Sequence, residues 1–197
     1  MDEMTRLSIR KISIPDGTAV IQKAAFARCE QLKVVHIPES VTVIGEGAFA
    51  GCERLKVVHI PEGVTEIGEG AFEDCHRLEF IELPKSLRRI ETCTFFGCTR
   101  LKAVVIPEGV NSIGCNAFCG CEALLTVNLP NTLKCIGQGA FSACGLEDVD
   151  IPDSVTKVGY EAFADCSKLQ RVSMRSGIFM AGNVFRHANP WLRIETR

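Results

Sequence analysis

The chain has 197 residues, 46 % of them hydrophobic and 23 % charged, a globular balance that excludes a disordered polar chain. Its 22 Lys and Arg stand against 24 Asp and Glu, for a net charge of −2. No basic excess is there to hold a phosphate backbone, so no nucleic-acid partner is expected. No apolar run reaches the roughly 18 residues that span a bilayer, so no membrane insertion is expected. Met1-Asp2-Glu3-Met4 carries two acids with no apolar block behind them, unlike a signal peptide.

In chain order, the first predicted element is a strand marked by Ile9, Ile12 and Ile14, which lacks the earlier half of its unit. From Pro15 onward the chain repeats itself. Proline falls at 15, 38, 61, 84, 107, 130 and 152, a step of 23 five times and then 22. Phenylalanine at 26, 49, 72, 95, 118, 141, 163 and 185 keeps that step, as does cysteine at 29, 52, 75, 98, 121, 144 and 166. The unit from Pro38 to Ile60 is typical. Its skeleton is Pro38, Val41, Ile44-Gly45, Ala48-Phe49, Cys52, Leu55, Val58 and Ile60. Val58 and Ile60 alternate with polar or variable residues, which predicts a strand. Proline then ends it, having no N–H for a ladder. Val41 to Ile44 reads as a second short extended piece, stopped at Gly45 by a tight bend. Ala48-Phe49 to Cys52 reads as a single helical turn. The shorter step comes from a residue missing between Cys144 and Leu146, which predicts a turn there.

A unit of 23 residues cannot bury its own apolar face, whereas stacked units can. The expected fold is therefore a solenoid, mostly β with short helical turns. It is a right-handed curved coil of about eight units of 22–23 residues, with a parallel sheet on the concave face. At roughly 4.8 Å per strand it forms a rod about 40 Å long. One array covers 1–197. A partial unit spans 1–14, seven units span 15–174, and a degraded unit, with Arg175 for Pro, Ala188 for Cys and Trp191 for Leu, caps 175–197.

The strand pattern L-x-x-V-x-I resembles that of leucine-rich repeats, and the full unit P-x-x-V-x-x-I-G-x-x-A-F-x-x-C-x-x-L resembles the BspA-like (treponemal-type) subfamily over residues 9–196. The resemblance implies a binding surface, often on a bacterial or protist cell surface, and carries over no catalytic residue.

Four cysteines, Cys93, Cys115, Cys119 and Cys135, lie off the ladder, and no C-x-x-C spacing occurs. Neighbouring ladder thiols would sit about 4.8 Å apart, whereas a disulfide wants Cβ atoms near 3.8 Å, so they read as small buried hydrophobes. Thiols left unbridged in such number favour a reducing, cytoplasmic setting; a cell surface is the alternative if the chain is part of a longer one. Gly45-Glu46-Gly47 tempts as a phosphate loop, but Gly68-Glu69-Gly70 and Gly137-Gln138-Gly139 repeat it, so turn glycines are expected. No nucleophile–base–orienter set is apparent, no enzyme is expected, and no cofactor is implied. His36, His59 and Glu82 share one slot. Rung spacing lets at most two of them reach one ion, so an exposed polar row is expected rather than a metal site.

Three slots per strand point outward. The middle slot runs Val34, Val57, Phe80, Ala103, Thr126, Asp148, Arg171. The slot beside the final apolar residue runs His36, His59, Glu82, Val105, Asn128, Asp150, Ser173, and the first begins Lys33, Lys56, Glu79, Lys102. The candidate binding residues are Val34, His36, Val57, His59, Phe80, Glu82, Ala103 and Val105. They form an apolar strip with lysines and histidines beside it, ahead of acidic Glu147, Asp148 and Asp150. Such a strip often marks a contact surface, here for a protein or peptide partner. The alternatives are a slot partly covered by neighbours or chosen for strand propensity. At the level of function, the alternative is a structural spacer or subunit of a larger assembly, joined through open end strands, or part of a cell-surface adhesin. The polar ends (Thr5, Arg6 and Ser8; Arg193, Glu195 and Arg197) oppose self-association.

Overall fold

The computed structural model describes residues 8–197; Thr5, Arg6 and the start of the 1–14 partial unit lie outside the described residues. Each unit contributes one strand of three or four residues and one of two. The strands are β1 (Lys11–Ser13), β2 (Val20–Ile21), β3 (Val34–His36), β4 (Val43–Ile44), β5 (Val57–His59), β6 (Glu66–Ile67), β7 (Phe80–Glu82) and β8 (Arg89–Ile90). They continue as β9 (Ala103–Val105), β10 (Ser112–Ile113), β11 (Thr126–Asn128), β12 (Cys135–Ile136) and β13 (Asp148–Asp150). The last are β14 (Lys157–Val158), β15 (Arg171–Met174), β16 (Phe179–Met180) and β17 (Arg193–Thr196). The odd strands stack in parallel as β1-β3-β5-β7-β9-β11 and then β13-β15-β17; the even ones stack as β2-β4-β6 and β16-β14-β12-β10-β8. The result is a parallel β-solenoid of about eight turns.

Strand register follows the 23-residue step. Val34 pairs with Val57, Val57 with Phe80, Phe80 with Ala103, and Ala103 with Thr126. The ladder breaks between β11 and β13, where one residue is missing. The turn at Glu122–Ala123 has no counterpart in the next unit, and Cys144-Gly145-Leu146 runs straight through. A side chain on Gly145 would collide there with the Glu122 carbonyl oxygen.

The expected columns form the core. Eight phenylalanines, Phe26 to Phe185, stack ring on ring with centroids 5.2–5.8 Å apart. Such offset stacks add to burial, itself worth about 1.5–3 kcal/mol for each buried ring. Beside them Leu32, Leu55, Leu78, Leu101 and Leu124 are wholly buried.

The segment around each phenylalanine differs from the expected helical turn. Between residues 9 and 197 no α-helix is present. Amide bonds alternate in direction instead. Ala48, Ala50 and Cys52 bond back three residues to Gly45, Gly47 and Phe49, while Gly47, Phe49 and Gly51 bond to Glu69, Ala71 and Glu73 of the next unit. Left-handed residues four apart, Gly47 (φ 57) and Gly51 (φ 70), impose this zigzag and prevent an i→i−4 helix. Every second amide thereby ties one turn to the next.

Two local reasons also change. Gly45 does not adopt a left-handed bend. It is small because a Cβ there would lie 2.7 Å from the Lys23 backbone nitrogen of the preceding turn. Glu91 fills the same slot in another unit, so the preference is not absolute. Each unit proline, besides ending a strand, accepts at its carbonyl the amide three residues on, as Pro38 does from Val41 at 3.0 Å.

Candidate functional site

The ladder cysteines are scaffold. Each thiol from Cys52 to Cys166 donates to a phenylalanine carbonyl of the preceding turn at 3.1–3.4 Å. Cysteine here fills a small space and adds a second hydrogen bond to a carbonyl that already accepts a backbone amide, as Phe49 does from Cys52. Burial pushes the Cys52 and Cys166 thiols up to about 12 from an ordinary 9.0. Cys75, Cys98 and Cys121 rise well above that ordinary value, again chiefly by burial. These thiols stay protonated and have little nucleophilic character.

The chemistry-bearing surface is the outer face of the odd-strand sheet. All eight candidates, Val34, His36, Val57, His59, Phe80, Glu82, Ala103 and Val105, are exposed, and the residues between them, Val35, Val58, Ile81 and Val104, are buried. The alternation follows from the pleat: residues i and i+2 share a face, and one face is committed to the core. Val34 is 49 %, Val57 58 %, Phe80 53 % and Val105 64 % exposed. Lys102 lies across Phe80, with Nζ 5.4 Å from the ring centroid, and pairs with Glu79 at 3.1 Å. That ammonium holds the Glu79 carboxyl below the usual carboxylate range. Even with this cover, Phe80 remains half exposed.

His59 stands opposite Glu82 in register. No group of three His, Cys, Asp or Glu among the described residues is placed to hold a metal ion. Ser173, expected outward, is buried, with Glu195 of β17 opposite it. Beyond Thr126 the row turns charged and is stitched together. Arg171 reaches Asp148 at 3.3 Å and Glu195 at 3.7 Å, and Arg197 reaches Asp150 at 3.1 Å and Asp153 at 3.3 Å.

An open trough of about 1160 Å³ runs along the stack from Phe80 past Ala103, Val105 and Asn128 to Asp150. Reading the strand slots alone missed its rim. Glu62, Lys85, Glu108, Asn131 and Asp153 line it, each immediately after a unit proline. That slot reads Asp16, Glu39, Glu62, Lys85, Glu108, Asn131, Asp153, a largely acidic row that was visible in the sequence. Arg197 gave no such signal, because its reach across 46 residues to the Ile151 carbonyl at 3.0 Å depends on the coil.

The last unit covers Phe163 with Phe185 and buries Val184, but leaves Phe179, Met180, Trp191 and Ile194 exposed. Trp191, expected in the leucine slot, instead lies in the turn Pro190–Trp191 and is 83 % exposed, while Leu192 after that turn bonds back to Asn189 and packs against the core as the unit leucines do. No helix among the described residues is long and apolar enough to cross a membrane.

The profile of the BspA-type leucine-rich repeat region matches residues 4–111 and 89–189 in six copies. Among solved structures, the chain is 35 % identical to the Treponema pallidum leucine-rich repeat protein, over 81 % of this chain and 77 % of that one, with a TM-score of 0.73. It is 28 % identical to a leucine-rich repeat protein from Bacteroides ovatus (TM-score 0.78) and 28 % to a leucine-rich cell surface protein from Faecalibacterium prausnitzii (TM-score 0.62), over 96 % of this chain in both cases. The chain spans 61 % and 60 % of the length of those two. None of the curated proteins matches it significantly. Repeat proteins of this kind are generally protein-interaction or surface modules. The periodic skeleton, the stacked phenylalanines and these matches agree, and the chain belongs to the BspA-type leucine-rich repeat family.

Proposed function

We propose that the chain is a non-catalytic docking module that binds a protein or peptide across the outer face of its odd-strand sheet. One observation carries this reading: Val34, Val57, Phe80 and Ala103 stand in consecutive register and exposed, with Val105 beside them. A contiguous apolar row is unusual on solvated surface and typical of contact surface. The sheet behind it is rigid, so a partner meets a preformed surface and ordering costs little on binding. The family, in which one relative is a cell surface protein, supports the same reading.

The test is to recover a partner on the immobilised chain, purify it and titrate it. Phe80→Asp should weaken that partner at least tenfold, while Lys157→Glu on the even-strand side should leave it unchanged. Equal binding by Phe80→Asp, or equal loss in both variants, removes the sheet face as the site.

The exposed Phe179, Trp191 and Ile194 of the final unit favour a second reading, self-association of chains through that end. Light scattering at two concentrations separates the two: a mass that rises with concentration and returns to one chain in Trp191→Ser supports association.

A further inference from the structure

The trough is not electrically neutral, and its chemistry specifies what fits. Its lining carries five carboxylates, Glu62, Glu82, Glu108, Asp150 and Asp153, against two cations, Lys85 and Arg197. Its floor at the other end is apolar, built of Phe80, Ala103 and Val105. One of the two cations is already engaged. The Arg197 guanidinium sits between Asp150 at 3.1 Å and Asp153 at 3.3 Å and also donates to the Ile151 carbonyl at 3.0 Å. The chain thus places a guanidinium of its own in the acidic end, where one terminal nitrogen, Nη2, makes all three contacts.

Resting on the docking role proposed above, we infer that the occupant of this trough is an extended, cationic peptide segment. An apolar side chain sits over Phe80, Ala103 and Val105, and an arginine enters the Asp150–Asp153 end in place of Arg197. The spacing follows from the fold. From β7 to β13 is three steps of the stack, about 14 Å at roughly 4.8 Å each. An extended peptide rises about 3.4 Å per residue and repeats a face every second residue, so side chains at i and i+4 lie on one face about 14 Å apart. The arginine therefore follows or precedes the apolar anchor by four positions. Opposite charge across the interface steers the segment in and rejects acidic ones.

The test uses capped nine-residue peptides of glycine and serine carrying leucine at position 3 and, at position 7, arginine or glutamate. A third peptide has arginine moved to position 5. Binding to the whole chain is followed by NMR titration at about 50 mM and 300 mM salt. The leucine–arginine peptide should bind at least tenfold tighter than the leucine–glutamate one and weaken at high salt. It should also bind several-fold tighter than the peptide with arginine at position 5. Arg197→Ala should tighten it several-fold by vacating the acidic end, and Asp150→Asn with Asp153→Asn should remove the preference; circular dichroism checks that both variants fold. If arginine and glutamate peptides bind equally and both need Phe80, the docking face stands and the cationic occupant is overturned. An unchanged affinity in Arg197→Ala overturns the shared site. Absence of binding by every peptide, to wild type and to Arg197→Ala, overturns the trough as a peptide site. It leaves the wider sheet face to the purified partner and Phe80→Asp.

Discussion

The interior of this solenoid and the outer face of its odd-strand sheet are made by the same turns, yet their residues vary in opposite ways. Inside, the phenylalanine column keeps one residue type over eight turns, and the cysteine column changes only in the last unit, to Ala188. Outside, one slot passes from Val34 through Phe80 and Thr126 to Asp148 and Arg171. A column in close contact with itself tolerates one shape, because each ring must fit the ring 5.2–5.8 Å away. A slot facing water has no such partner, so its variation is free to serve recognition. The repeat carries stability, and departures from it carry specificity.

The sharpest way to break this comparison is to empty one place in the column. Phe118 stacks at 5.3 Å on Phe95 and 5.2 Å on Phe141, so Phe118→Ala should cost about 3–5 kcal/mol in urea unfolding. A loss under about 1 kcal/mol would mean that the column is not a packed unit. The next effect is pH. The Cys52 and Cys166 thiols rise from an ordinary 9.0 to about 12 in the folded chain, so the unfolded chain loses those protons first as pH rises. Their contribution is fully present below about pH 9 and declines between 9 and 12, by about 1.4 kcal/mol per pH unit and thiol. Urea midpoints at pH 8 and pH 10 should therefore differ, and Cys52→Ala should reduce the difference. Gly145→Ala comes third: its new methyl meets the Glu122 carbonyl, for a loss of about 1–3 kcal/mol by thermal unfolding. Smallest is Phe80→Asp, which should shift stability by no more than about 0.5 kcal/mol while abolishing docking. If it unfolds the chain, Phe80 belongs to the interior and the contrast between the two regions fails.

Much of the coil was legible residue by residue. Phe49, Phe72 and Phe118 follow one period, and a period implies one environment, so their common column needed no structure. Val58 and Ile60 declared their strand in the same way. The segment after Gly45 differs from its local reading: Ala48-Phe49 to Cys52, small-large-small, reads as a helical turn. What prevents the helix is a left-handed residue at Gly47 and another at Gly51, together with amides spoken for by Glu69, Ala71 and Glu73 of the next turn. Those partners are 22 residues distant, beyond any local preference. On the sheet face, alternation alone was enough to expect the outward direction of Val34, Val57, Phe80, His59 and Glu82. It could not expose the trough, whose rim residues Glu62, Glu108 and Asp153 come from turns that only stacking brings beside the strands.

Period, register and the identity of every buried column were thus determined by the sequence itself, because a 23-residue repeat with a fixed apolar skeleton has one economical way to hide that skeleton, which is to stack. The tertiary structure decided what lies between turns: which backbone amide bonds to which, how closely Gly145 approaches Glu122, and that Arg197 closes on Asp150 and Asp153. Those contacts join residues from different turns, and their distances depend on how the coil winds rather than on what any one unit contains.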